Sequence, residues 1–212
     1  EVKPKLKITM GNLNTKIVNA INIDEVGIDS YVEDTFSVEN TGTLNENIIF
    51  YLENPINIHE DGLSNIYYEI IFYKENGEQS KIYSGVLKDL FNGKLTIEDI
   101  NDEAFIISSG EIIEGNIKIS IDKDMPYKYS NKEVYFDMCF QALLDNSDSS
   151  FTSISNERSS IKISDFKPPK DIINLQTIRL SGNKLELKFN KEIYFQDNNI
   201  LDNILGDEEF LE

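Results

Sequence analysis

The sequence predicts an all-β protein, an antiparallel jelly-roll-like β-sandwich carrying short helical insertions. Three observations lead there. Apolar residues recur with period two through most of the chain, the spacing of a half-buried strand. The alternating runs are short and separated by clusters of Asn, Asp, Gly and Ser, residues that favour turns. Apolar content is 40%, enough for a packed core, so wholesale disorder is not expected.

Taken in order, Leu6, Ile8 and Met10 alternate with Lys5, Lys7 and Thr9 as the first strand-like run. From Tyr31 to Leu52 come a strand, a tight polar turn and a second strand. Phe36 and Val38 share one face and Thr35 and Ser37 the other; Ile48, Phe50 and Leu52 resume the alternation after Asn40-Thr41-Gly42-Thr43. Asn tolerates positive φ and Gly adopts it freely, so this cluster reads as a turn. Tyr68, Ile70 and Phe72 form the next strand. The Asn76-Gly77 step then signals a hairpin whose return strand is expected at Lys81 to Tyr83. Ile117, Ile119 and Ile121, then Val134, Phe136, Met138 and Phe140, mark two later strands. The expected interior is therefore Phe36, Val38, Ile48, Phe50, Ile70, Phe72, Ile119, Phe136, Met138 and Phe140.

Two stretches break the rhythm. Val86, Leu87, Leu90 and Phe91 have helical spacing, with Asn92-Gly93 to end the helix. Thr96 to Ile100 reads likewise as a short helix with Thr96 as its N-cap. The doublets Ile48-Ile49, Ile112-Ile113 and Ile172-Ile173 suggest strands buried on both faces. Lys167-Pro168-Pro169-Lys170 is the best linker candidate, because two prolines stiffen the backbone and remove donors. The domain division is accordingly 1–166 for the sandwich and 167–212 for the linker and the start of a second β module. Within the latter, Leu175–Leu180 and Lys184–Phe189 are strands around Ser181-Gly182-Asn183. This hairpin resembles the opening of the Ig-like modules of bacterial surface proteins. The 46 residues after Phe166 are about half of an Ig sandwich, so they form a truncated domain, a β extension of the first, or an engineered tail.

Lys and Arg number 20 against 38 Asp and Glu, a net charge of −18. Such a surface repels phosphate backbones and anionic headgroups, which argues against nucleic-acid partners and polybasic membrane attachment. The plain consequence of the charge is solubility. No apolar run approaches the roughly 20 residues of a membrane-spanning helix, so no integral membrane segment is expected in this chain. The single cysteine, Cys139, excludes an intrachain disulfide and sits on the Val134–Phe140 strand, partly buried; it does not decide the compartment. Glu1 in place of Met fits a processed or engineered start, and Leu211-Glu212 a vector-derived scar.

Chemistry is poorly represented. His59 is the one histidine, and His59-Glu60-Asp61-Gly62-Leu63 lacks the second His of the H-E-x-x-H zinc motif. No Ser-His-Asp or Cys-His pattern and no Gly-rich phosphate loop occurs. The acidic loops at Asp99 to Glu103, Asp122 to Asp124 and Asp145 to Asp148 do not match a calcium-loop spacing and read as solvated turns. No catalytic residue, metal ligand or cofactor is assigned, and the protein is not expected to be an enzyme. Tyr67-Tyr68, Tyr127 and Tyr129 could build an adhesive surface, although half-buried strand aromatics are the commoner arrangement.

The run Ile8-Thr9-Met10-Gly11-Asn12-Leu13 places a G-x-L step after a short strand. The run Phe36 to Leu44 reads F-x-V-x-N-x-G-x-L before an apolar strand. Together with Ser109-Gly110-Glu111 ahead of Ile117, these resemble the TasA/camelysin family, secreted bacterial β-sandwich proteins that polymerise into surface fibres and pili. The resemblance covers roughly Leu6 to Phe166. It implies secretion to the cell surface and a structural or adhesive role in a biofilm-type fibre or pilus, with other fibre subunits as partners and a host or matrix ligand as a further one. The linker and trailing hairpin favour a minor or tip subunit. In such fibres the segment before the G-x-L step leaves its own subunit and completes the next sandwich by strand addition. Here that segment is Val2 to Ile8, with Val2, Leu6 and Ile8 as the candidate partner-binding residues. Alternatively, residues 1–10 are simply the first strand in cis. A surface module binding protein or carbohydrate is the second functional reading. A secreted metalloprotease, suggested by the family's name, is disfavoured by the histidine count.

Overall fold

Strands form here because β-branched and aromatic residues alternate with polar ones, and two such surfaces bury each other. The computed structural model describes residues 11–144, 150–167, 175–182 and 184–189. The chain divides into two compact units, residues 1–166 and 167–212.

The first unit is a sandwich of two sheets. One comprises β1 (Thr15–Ile17), β3 (Tyr31–Asn40), β8 (Ile112–Ile121), β5 (Ile66–Lys74) and β6 (Tyr83–Val86), in that spatial order and antiparallel throughout. The other comprises β2 (Asn22–Val26), β11 (Ser159–Ile163), β9 (Glu133–Leu143), β4 (Asn47–Ile56) and β7 (Leu95–Thr96). A further strand, β10 (Ser150–Ile154), pairs with the C-terminal half of β9 on the side where β11 pairs with its N-terminal half. One pair departs from the expected antiparallel pattern: β2 and β11 run parallel. The reason is that β2 reaches its sheet by crossing from β1, at the edge of the other sheet, rather than by a hairpin.

Every residue expected in the interior is there. Phe36, Phe50, Phe72 and Phe140 pack mutually, with ring centroids 5.0–6.3 Å apart, and Val38, Ile48, Ile70, Ile119, Phe136 and Met138 surround them. The doublets fare differently. Ile48 and Ile113 are buried, but Ile49 is half-buried and Ile112 exposed; the strand of the first is buried on both faces only further on, at Tyr51 between Phe50 and Leu52, and that of the second is one-sided, while Ile172-Ile173 lies outside the described residues. Cys139 is fully buried rather than partly, on the face of β9 opposite the phenylalanines. The tyrosines divide: Tyr68 and Tyr129 are buried, Tyr67 and Tyr127 exposed.

The turn at Asn40 to Thr43 joins strands of different sheets. It is a crossover at the end of the sandwich rather than a hairpin. The Asn76-Gly77 turn does form, with Gly77 at φ 87° and its N–H on the Lys74 carbonyl, 3.0 Å. Its return strand starts at Tyr83, later than expected, because Gln79 and Ser80 first cover the β5 edge: Ser80 N–H bonds Phe72 O and its Oγ accepts from Phe72 N–H.

Of the two helical expectations one holds. α2 (Leu87–Asn92) buries Leu87 and Leu90 against the sheets, whereas α1 (Glu60–Leu63) is a single turn. Thr96–Ile100 is not a helix. Thr96 belongs to β7, and Ile97 donates its N–H to Ile48 O at 3.0 Å while its side chain is fully buried. The exposed backbone of β4 satisfies this segment's polar groups better than one isolated helical turn could. The second unit's described part is the antiparallel hairpin β12 (Leu175–Ser181) and β13 (Lys184–Phe189), with Gly182 at φ 63°.

Candidate functional site

The donor candidates Val2, Leu6 and Ile8 lie outside the described residues, as do Pro168 and Pro169 and the acidic loop at residues 145–148. The description begins at Gly11, and there three motifs that are far apart in sequence meet in one corner.

The turn after β3 grips the chain that follows the arm. Thr43 and Leu44 N–H both reach Asn12 O, at 3.0 and 3.3 Å, and Gly42 N–H reaches Asn14 O at 2.9 Å. Asn12 N–H returns a bond to Thr43 Oγ1, 2.9 Å. Gly42 is not in the left-handed region. It is needed for room, since a Cβ there would sit 2.5 Å from Asn12 O and 2.7 Å from Asn14 N. Gly11 serves the same end, because a Cβ on it would collide with the Leu44 side chain. The glycine of the G-x-L step and the leucine of the N-x-G-x-L run are thus packing partners.

Asn40 is the tie of this corner. It is fully buried, and its Nδ2 donates to Leu44 O at 2.8 Å and Ile107 O at 3.0 Å, while Oδ1 accepts from Gly42 N–H at 2.9 Å. An amide of this shape satisfies three backbone groups at once, which no apolar side chain could do. The Ser109-Gly110-Glu111 turn closes on the same residues: Gly110 N–H bonds Asn40 O, Asn40 N–H bonds Glu111 O, and Ser109 Oγ donates to Gly42 O at 2.6 Å. Gly110 has φ 78°, so glycine is required there by conformation.

Beneath the corner lies Glu46, fully buried. Its backbone pairs with Ile107, and its Oε1 accepts from Thr15 Oγ1 at 2.7 Å. Burial pushes its carboxyl up to about 7, against a smaller lowering by the Thr15 bond. The sequence carried no sign of this: Glu46 stands among polar residues, before the apolar run starts.

Near the corner the sandwich has an edge that is unpaired among the described residues. β10 lies close to β1, and no described strand pairs with its outer side. Two of its side chains are exposed apolar groups, Phe151 at 38% and Ile154 at 51%. An unpaired strand edge beside apolar side chains is the chemistry of strand addition.

The remaining candidates have structural occupations. His59 is exposed and caps α1 through its backbone; its N–H donates to Tyr129 Oη at 3.1 Å, and Tyr129 donates to Asp61 Oδ1 at 2.6 Å. Lys128 pairs with Asp61 at 2.5 Å, and its bond together with Tyr129's holds the Asp61 carboxyl down at about 2. Asp99 Oδ1 accepts from the N–H groups of Asn101 and Glu103, and Asp122 Oδ1 from that of Asp124, so these carboxylates brace their own turns. Among the described residues no group of three or more His, Cys, Asp or Glu side chains gathers as a metal site. Burial pushes the Cys139 thiol up to about 12. Folded protein should therefore resist iodoacetamide near neutral pH and react stoichiometrically once denatured, a result that intact mass reads directly. Rapid labelling of the folded chain would contradict its burial.

No protein-family model matches the chain, and no curated protein sequence matches it. Solved structures match parts of the chain at low similarity. AvmM, titled for macrocyclization in alchivemycin A biosynthesis, is 6% identical with a TM-score of 0.39, over 75% of this chain and 92% of that one. The CooA pilin subunit of enterotoxigenic Escherichia coli is 9% identical with a TM-score of 0.34, over 72% and 99%. The C-terminal fragment of the Streptococcus agalactiae major pilin GBS80 is 10% identical with a TM-score of 0.35, over 74% and 57%. The structural neighbours thus include pilins, and at these scores they place the chain in no family.

Proposed function

We propose that this chain is a structural or adhesive subunit of a bacterial cell-surface fibre or pilus, secreted and joined to its neighbours by strand exchange. It is read as a non-enzymatic protein. The supporting observation is the corner. The residues that carry the TasA/camelysin resemblance, Gly11, Asn40, Gly42 and Leu44, gather around Asn12 and Asn14 at the point where residues 1–10 end, close to the β10 edge that no described strand pairs. In this reading Val2, Leu6 and Ile8 enter the neighbour's open edge. Burying Leu6 and Ile8 alone contributes roughly 3–6 kcal/mol, to which backbone pairing adds register. Lys3, Pro4, Lys5 and Lys7 discourage indiscriminate pairing of the free arm.

The test compares the intact chain, a chain lacking residues 1–7, and Leu6→Asp, each concentrated alone and mixed with intact protein. Light scattering and electron microscopy read assembly. Polymer from the intact chain and none from the two variants is expected, with all three folded by circular dichroism. Equal assembly by all three removes the arm as donor. Failure of the shortened chain to fold shows that residues 1–7 are a strand in cis.

A binding-module reading is favoured by a separate observation, the outer face of the five-stranded sheet. There Tyr31, Ser120 and Tyr67 lie in one cross-strand row and Glu33, Lys118 and Glu69 in the next, with Lys118 Nζ 4.3 Å from the Tyr31 ring centre. Exposed aromatics beside polar groups suit a protein or carbohydrate ligand. Loss of ligand capture in Tyr31→Ala and Tyr67→Ala, with assembly unchanged, would assign that role to the face.

A further inference from the structure

We propose that Glu46 is a proton-operated latch, which in its neutral form holds the chain from Asn12 to Ile17 against the sandwich and on ionising releases it. The argument begins with geometry. Glu46 has no exposed surface, and of its two carboxyl oxygens only Oε1 has a partner among the described residues; Oε2 is buried with none. An ionised carboxylate left in that state is costly, because one hydroxyl replaces several water molecules. The partner of Oε1 is Thr15, the first residue of a three-residue edge strand and the direct continuation of the clamped segment. The group that must be hydrated on ionisation therefore bonds the least supported strand of the sheet, and opening that strand is the shortest route by which water can reach it.

Among the described residues no charged neighbour offsets the ionised form. The segment Asn12 to Thr15 offers only the Thr15 hydroxyl, and the turn from Thr41 to Asn45 carries no titratable side chain. The stretch Phe105 to Ile107 has none either. Lys16 is exposed and lies across from Glu39, and Glu111 Oε2 is engaged by Ser108 N–H at 2.8 Å. Consistent with this, only burial and the Thr15 bond act on the Glu46 carboxyl, which is raised from 4.5 to about 7.

The sign follows from linkage. Below about pH 4.5 the carboxyl is neutral in the open and closed corner alike, and the latch is fully set. Between about 4.5 and 7 the open form releases its proton and the closed form keeps it, so opening becomes easier as pH rises. Above about 7 the closed form ionises too, and the dependence levels off. Across that window the opening equilibrium of the corner rises on the order of a hundredfold. The latch stands on the described residues alone. Its use, freeing or fixing the arm during assembly, rests on the fibre-subunit reading, and the experiment below does not measure assembly.

The test is amide hydrogen exchange on the full chain from about pH 5 to 8, corrected for intrinsic rates. The reporters are Gly42, Thr43 and Val18, whose N–H groups bond Asn14, Asn12 and Ser37, and the controls are amides bonded between β3 and β8. In the wild-type chain the reporters' opening constants should rise about a hundredfold with a slope of one proton, while the controls do not. In Glu46→Gln the rise should vanish. A pH-independent corner, or an equal rise in Glu46→Gln, overturns the latch. Should that variant fail to fold, carbon NMR of the wild-type Glu46 carboxyl decides. A titration midpoint coinciding with that of corner opening supports the latch, and an ordinary midpoint near 4.5 refutes it.

Discussion

Phe36→Ala should destabilise the protein by about 3–5 kcal/mol, among the largest effects expected of any single side-chain truncation in the sandwich. Phe36 has no exposed surface and touches Phe50, Phe72 and Phe140, which come from both sheets, so its removal opens a cavity that the three remaining rigid rings cannot fill by small shifts. The space beside it is set by Gly115, its cross-strand partner on β8, where any Cβ would collide with the ring. Gly115→Val should therefore cost a similar amount by overpacking, although it adds apolar surface. Urea unfolding followed by fluorescence measures both, with an unchanged slope of stability against denaturant. Loss of less than about 1 kcal/mol in Phe36→Ala would mean that the four rings do not form the central contact between the sheets.

Asn40→Ala should cost roughly 3–5 kcal/mol, more than its size suggests, because it strands three backbone groups, Ile107 O and Gly42 N–H fully buried and Leu44 O partly so. Asn40→Asp separates hydrogen bonding from volume. The carboxylate still accepts from Gly42, but it faces two carbonyl oxygens that need a donor. That variant should be at least as unstable as the alanine at neutral pH and recover in acid, where a protonated carboxyl can donate once. Because the corner holds Asn12 and Asn14, either change should also raise proteolytic cleavage near residues 11–18 before the rest of the sandwich unfolds. Cleavage that appears only with global unfolding would show that the corner opens with the core as one unit.

Much of the sandwich was readable from local pattern. A strand with one buried face must alternate, so Phe36 and Val38, Ile70 and Phe72, and Phe136, Met138 and Phe140 declared their inward side through spacing alone. The α2 segment was likewise legible because Leu87 and Leu90 lie on one helical face. Thr96 to Ile100 shows the limit. Five residues with two isoleucines fit a short helix or an edge strand equally well, and the choice fell to the exposed β4 backbone, contributed by residues almost fifty positions away.

The sequence by itself determined the main strands of the core, which side of each is apolar, and that one histidine cannot supply an H-E-x-x-H motif. Those properties are set by nearest neighbours along the chain and by composition. Tertiary structure alone decided which strands share a sheet, that β2 runs parallel to β11, and that the turn at Asn40 crosses between sheets. It also gave Gly42 its purpose, which is close approach of the backbone at Asn12 rather than a left-handed conformation, and it buried Glu46 beside Thr15. A polar residue's role depends on what the fold brings to it, and the groups that meet Asn40, Gly42 and Glu46 come from segments some thirty to seventy residues distant. Alternation along one strand carries no record of such partners.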